Sequence, residues 1–133
     1  MGVSNLLIVT ALAEAAVGMT LLMSPSLVIA LLLGAPLDGP AAIVVARIAG
    51  AALLSLGCAC WLARTDGPNR AVFGLVGAML LYNSVAVAVL ASAGAGARLV
   101  GVLTWPAVGA HAALAVWCLA CLRSGSTESS RSS

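Results

Sequence analysis

Four long apolar runs, each interrupted only by turn-forming or charged residues, constrain this chain more than any other feature: Asn5 to Met23, Ala41 to Ala63, Ala71 to Ala91 and Leu99 to Leu122. A helix needs roughly 20 mainly apolar residues to cross a bilayer, and each run reaches or approaches that length. Backbone polar groups inside hydrocarbon must be paired within the protein, so a spanning segment is a helix or part of a closed barrel. These runs are too long and continuous for barrel strands. The expected architecture is all-α: a multi-pass integral membrane bundle of four transmembrane helices.

Composition closes off the soluble alternative. Hydrophobic residues make up 62% of the 133 and charged residues only 8%, which leaves too little polar surface to cover a water-exposed domain of this size. The residues Met1 to Asn5 include no basic side chain and the first run carries Glu14, so that run is expected to stay as a span and not be removed as a secretory signal. The four-helix domain is expected to occupy residues 1–123, with the serine-rich 124–133 a disordered cytoplasmic tail.

Arginine placement gives an orientation. Arg64 and Arg70 flank the second connection and Arg123 and Arg131 follow the last span, against Arg98 alone on the other face; this four-to-one bias puts both termini on the cytoplasmic side of the cell or inner membrane. Trp61 and Trp117 precede those arginines at interfacial depth, and Trp105 could do the same on the outer side. A net charge of only +2 argues against a nucleic-acid partner.

The connections have their own grammar. Ser24-Pro25 reads as an N-cap and first helical position, so Leu27 to Leu33 is expected to form a short interfacial or re-entrant helix between the first two spans, stopped by Gly34. Asp66-Gly67-Pro68-Asn69 reads as a tight turn and Ala93 to Ala97 as a flexible one. Pro106 cannot donate to Val102, so it either kinks the last helix or marks its start. Gly50 and Gly57, and Gly74 and Gly77, suit close helix packing inside the bundle better than a dimer motif.

Polar residues are costly at mid-membrane, by about 3 kcal/mol for a charge on insertion scales, so Glu14 is the most informative side chain. Helical spacing groups Thr10, Glu14 and Gly18 on one face, Met79, Asn83 and Ala86 on another, and Ala107, His111, Ala115 and Cys118 on a third. In the second span the same reasoning aligns Arg47, Gly50, Ala51, Ser55 and Cys58. The expected polar centre is Glu14, Asn83 and His111, with Tyr82 beside it and Arg47 above, able to bend toward Glu14. Such a centre suits either a small-ligand or proton-relay site, or a structural ion pair with the remaining groups satisfying one another. No cofactor is required by these residues, and one histidine with one carboxylate falls short of a usual metal site.

Four cysteines lie near the cytoplasmic ends of the second and fourth spans. Cys118 and Cys121 have the spacing of thiol redox motifs, but they end a helix instead of starting one, where the dipole disfavours a thiolate. Cys58 and Cys118 are expected at similar depth on inward faces. Small buried filler is the simpler role for them.

Glu14, Gly18, Pro25 and Leu32-Leu33-Gly34, followed by Arg47-Ile48-Ala49-Gly50 and Leu56-Gly57, resemble the DoxX-like group of small four-helix membrane proteins across the first half of the chain. That resemblance implies a fold more firmly than an activity, since the group includes proteins of thiol metabolism and membrane accessory subunits. Leu12-Ala13-Glu14, Gly18 and Thr20-Leu21 are locally similar to the first helix of small multidrug-resistance exporters, which would make Glu14 a proton carrier. The third span departs from that pattern, offering Tyr82-Asn83-Ser84 without tryptophan, and Arg47 would repel a cationic substrate. With no nucleophile and base, phosphate loop or complete metal set, the leading expectation is a non-enzymatic accessory or assembly subunit, bound to a larger membrane protein or to its own copies, with a polar midplane able to hold a quinone, lipid or other small ligand. A proton-coupled transporter acting as a homodimer is the alternative, and a thiol oxidoreductase using Cys118 and Cys121 the third.

Overall fold

A computed structural model describes residues 2–129, with side chains through Ser124. Five helices follow one another: α1 (Val3–Met23), α2 (Pro25–Leu33), α3 (Pro40–Ala63), α4 (Arg70–Ala95) and α5 (Thr104–Ser129). Four of them, all but α2, are long and apolar enough to cross a membrane. No strand occurs among the described residues. α5 runs on through Ser129, and residues 130–133 of the expected tail lie outside the described residues.

Local chemistry sets the helix ends. Pro25 lacks an N–H and its ring would crowd the preceding turn, so α1 stops at Met23 and α2 restarts with Pro25 in its first turn. Ser24 occupies the expected N-cap position but makes no side-chain cap; its carbonyl instead accepts from Leu27 N–H at 3.1 Å. Gly34, in the left-handed region at φ 65°, ends α2. Asn69 caps α4 through its side chain, accepting from Ala71 N–H and Val72 N–H at 2.9 and 3.0 Å.

The last helix begins five residues later than the apolar run suggests. Residues 99–103 leave the helical path because their donors turn to α2: Gly101 N–H reaches the Leu32 carbonyl at 3.3 Å and Leu103 N–H the Leu31 carbonyl at 2.9 Å. Thr104 Oγ1 also donates to Leu32 O, so the open carboxyl end of α2 is closed by the start of α5. A Cβ on Gly101 would stand 2.2 Å from Leu31 O, which makes glycine necessary at this crossing. Pro106 therefore belongs to the first turn of α5, where a missing N–H costs nothing, and marks the helix start instead of a kink.

The bundle is built as two helix pairs, α1 with α3 and α4 with α5. In the first pair the backbones nearly touch: a Cβ on Gly18 would lie 2.7 Å from Gly50 O, and one on Gly57 3.0 Å from Ala11 O. Small residues permit this approach, and close packing is what holds helices together where lipid removes the hydrophobic drive. Gly74, Gly77 and Gly109 have open space where a Cβ would be. The pairs meet through side chains of all four long helices, with Leu6, Leu7, Cys60, Val76, Met79 and Cys118 in the shared core.

Candidate functional site

The α1–α3 seam fixes the rotation of both helices and so decides which polar residues turn inward. On α1 the stripe Thr10, Glu14 and Gly18 is buried as spacing predicts, Glu14 being only 4% exposed. On α4 Met79 and Asn83 are buried and Ala86 half-buried, and on α5 His111 and Ala115 are half-buried above a buried Cys118.

The expected face of α3 is corrected. Ala46, Gly50, Gly57 and Cys60 turn inward, whereas Arg47, Ala51, Ser55 and Cys58 are exposed. Because Gly50 and Gly57 must both meet α1, the helix is rotated by about one residue, or 100°, from the alignment drawn through Arg47 and Cys58. Arg47 forms no ion pair with Glu14, and the thiol that joins the core beside Cys118 is Cys60 instead of Cys58. The seven-residue interval between Gly50 and Gly57, extended by three to Cys60, carried the correct face in the sequence.

Glu14, Tyr82, Asn83 and His111 are brought together where the two helix pairs meet. Asn83 Nδ2 donates to the Met79 carbonyl at 2.8 Å, which leaves its Oδ1 as acceptor. His111 Nδ1 lies 2.8 Å from that oxygen, so Nδ1 carries a proton and donates to it, with Nε2 left free to accept. The Tyr82 ring stands edge-on to the His111 imidazole, centroids 5.6 Å apart at 83°. The Tyr82 hydroxyl comes close to the Glu14 carboxyl across the boundary between the pairs. Polar side chains of α1, α4 and α5 therefore gather at one place, with the hydrogen bond between Asn83 and His111 joining α4 to α5. Three cavities open elsewhere, and none of the three is lined by any of these four residues.

Toward the end of the bundle that carries the termini, Cys60, Cys118 and Cys121 are buried free thiols. Thr10 Oγ1 and Trp117 Nε1 are buried there without a protein partner. Among the described residues no group of three or more His, Cys, Asp or Glu is placed to hold a metal ion. Polar groups on the outer faces satisfy their own helices, as Ser55 Oγ does on Ala51 O at 2.8 Å and Ser84 Oγ on Leu80 O at 2.7 Å. Arg64 stacks over Trp61, 3.9 Å from the ring centroid, and donates to the Trp61 carbonyl.

The fold and this centre define an all-helical chain with four potential membrane-crossing helices and a buried polar contact between α4 and α5. No family model, curated protein or solved structure matches the chain.

Proposed function

We propose that the chain is a multi-pass protein of the cell membrane, with both termini in the cytoplasm, that works as a non-enzymatic accessory or assembly subunit. The observation that supports this best is the engagement of the buried amide: Asn83 is committed to both Met79 and His111, and Tyr82 lies beside Glu14 and His111. Groups so engaged hold helices in one register instead of waiting for a substrate. The exposed apolar residues of α3 and α4, among them Val45, Ile48, Leu81 and Val85, then face lipid or a larger membrane protein.

The test is purification of the full chain from its native membrane in a gentle detergent, with mass spectrometry of whatever elutes in fixed ratio. A stoichiometric larger partner, retained by Glu14→Gln, is the expected result. A lone chain or a homodimer overturns the subunit reading.

One observation favours a second reading, a proton-coupled transporter. Glu14, Tyr82 and His111, three side chains able to exchange protons, gather where the two helix pairs meet. Under that reading Glu14→Gln abolishes pH-driven flux in vesicles, and an unchanged flux removes it.

A further inference from the structure

α3 buries Ala46, Gly50, Gly57 and Cys60 in the bundle and leaves a second row outside it: Arg47, Ala51, Ser55 and Ala59, all exposed and spaced by four. Side chains four apart lie one above another on a helix, so the row is one continuous lane along α3. Among the described residues Arg47 has no hydrogen bond, ion pair or ring partner. Val44, Val45 and Ile48 around it are exposed and apolar.

The depth of this free cation matters. With Trp61 at its expected interfacial position, about 30 Å of hydrocarbon, or about twenty helical residues, puts the other boundary near Ala41. The Arg47 Cα then lies about 9 Å inside it. A cation at that depth on a lipid-facing surface is costly unless an anion meets it.

The chain cannot supply that anion to a second copy of itself. Arginine placement orients all copies alike, so two copies meeting along this row would set Arg47 against Arg47. Of the described acidic residues, Glu14 is buried in its own bundle, and Asp38 and Asp66 lie in the connections beyond either end of α3. A lipid phosphate could meet an upward-stretched Arg47, but it would leave the small residues below without a use. Ala51, Ser55 and Ala59 permit close approach of another helix backbone, as Gly18 and Gly50 do inside the bundle. Ser55 Oγ donates to Ala51 O of its own helix at 2.8 Å, so no unpaired hydroxyl donor interrupts the lane.

We infer that this row of α3 docks a membrane-crossing helix of a different protein, one that carries an aspartate or glutamate at the depth of Arg47. The carboxylate pairs with the guanidinium, and the small residues below set the register of the two helices. The inference rests on the subunit reading and names the chemistry of the partner's contact.

Site-directed cross-linking tests it: benzoylphenylalanine replaces Ser55 in the full chain in its native membrane, and the photoproduct is sequenced by mass spectrometry. The expected adduct is an apolar segment of another protein that contains Asp or Glu. Arg47→Gln should lower its yield about fivefold or more, and Arg47→Glu combined with arginine at the partner's carboxylate should restore it. Because Arg47 is exposed and unbonded, these substitutions leave the bundle's own contacts in place. Adducts with lipid alone, with a second copy, or with a segment lacking a carboxylate overturn the inference, as does a yield unchanged by Arg47→Gln. A partner that co-purifies in fixed ratio yet never cross-links at Ser55 overturns this docking row while leaving the subunit reading standing.

Discussion

Among the buried polar residues, Asn83 and Thr104 have partners arranged for them, while Thr10 Oγ1 has none. Asn83 is wholly buried and spends its amide on Met79 and its carbonyl on His111, so it acts as the joint between α4 and α5. Asn83→Leu keeps the volume and removes both bonds; it is expected to cost about 1 kcal/mol of bundle stability, measured by reversible unfolding in mixed micelles. Glu14 and its neighbours were legible in the sequence because four-residue steps on a helix need no tertiary knowledge, and Thr10, Glu14 and Gly18 do share a buried face. Arg47 was not legible, since its seven-residue distance from the span's start says how deep it lies but not which way it points. The cysteines separate on the same ground. Cys58 should react with a maleimide in the folded, detergent-solubilised protein, whereas Cys60 and Cys118, both fully buried, should react only on unfolding; rapid labelling of Cys60 would contradict the rotation of α3.

At the scale of elements, two kinds of contact divide the work. α1 and α3 are held by backbone approach, and a side chain at Gly50 meets Gly18 O at 2.8 Å and Leu21 Cβ at 2.8 Å. Gly50→Leu is therefore expected to destabilise by about 1–3 kcal/mol through overpacking, while Gly74→Ala, in open space, should be neutral or gain up to about 1 kcal/mol from helix propensity. The same unfolding assay ranks the two, and equal effects would contradict the seam. The junction of α2 with α5 is held by hydrogen bonds instead. Thr104→Val should cost about 1 kcal/mol by leaving the Leu32 carbonyl one donor short. Apolar runs, prolines and glycines announced five elements in the right order, including α2 between the first two spans. They could not announce that residues 99–103 abandon the helix, because that choice depends on the carbonyls of Leu31 and Leu32 nearly seventy positions away.

For the whole molecule, the two-pair construction explains why the polar centre sits where it does. Each pair is knit along its own length, and the pairs then meet through larger side chains, so a directional contact is needed to set one pair against the other. The approach of Tyr82 to Glu14 supplies that direction, with Asn83 and His111 fixing α4 against α5 beside it. The shared end of the termini follows from four crossings, and the arginines near it account for the proposed cytoplasmic side; reagents that cannot cross the membrane should reach a cysteine introduced at Asp38 from outside in a Cys58→Ser background, but not one introduced at Gly67. The most direct test of the central claim is a double-mutant cycle on the contact that joins the pairs, Glu14→Leu with Tyr82→Phe, read as unfolding free energy in micelles. The account predicts a favourable coupling of about 0.6–1.7 kcal/mol, the range of hydrogen bonds between membrane helices. Additive effects, with no coupling between Glu14 and Tyr82, would contradict it.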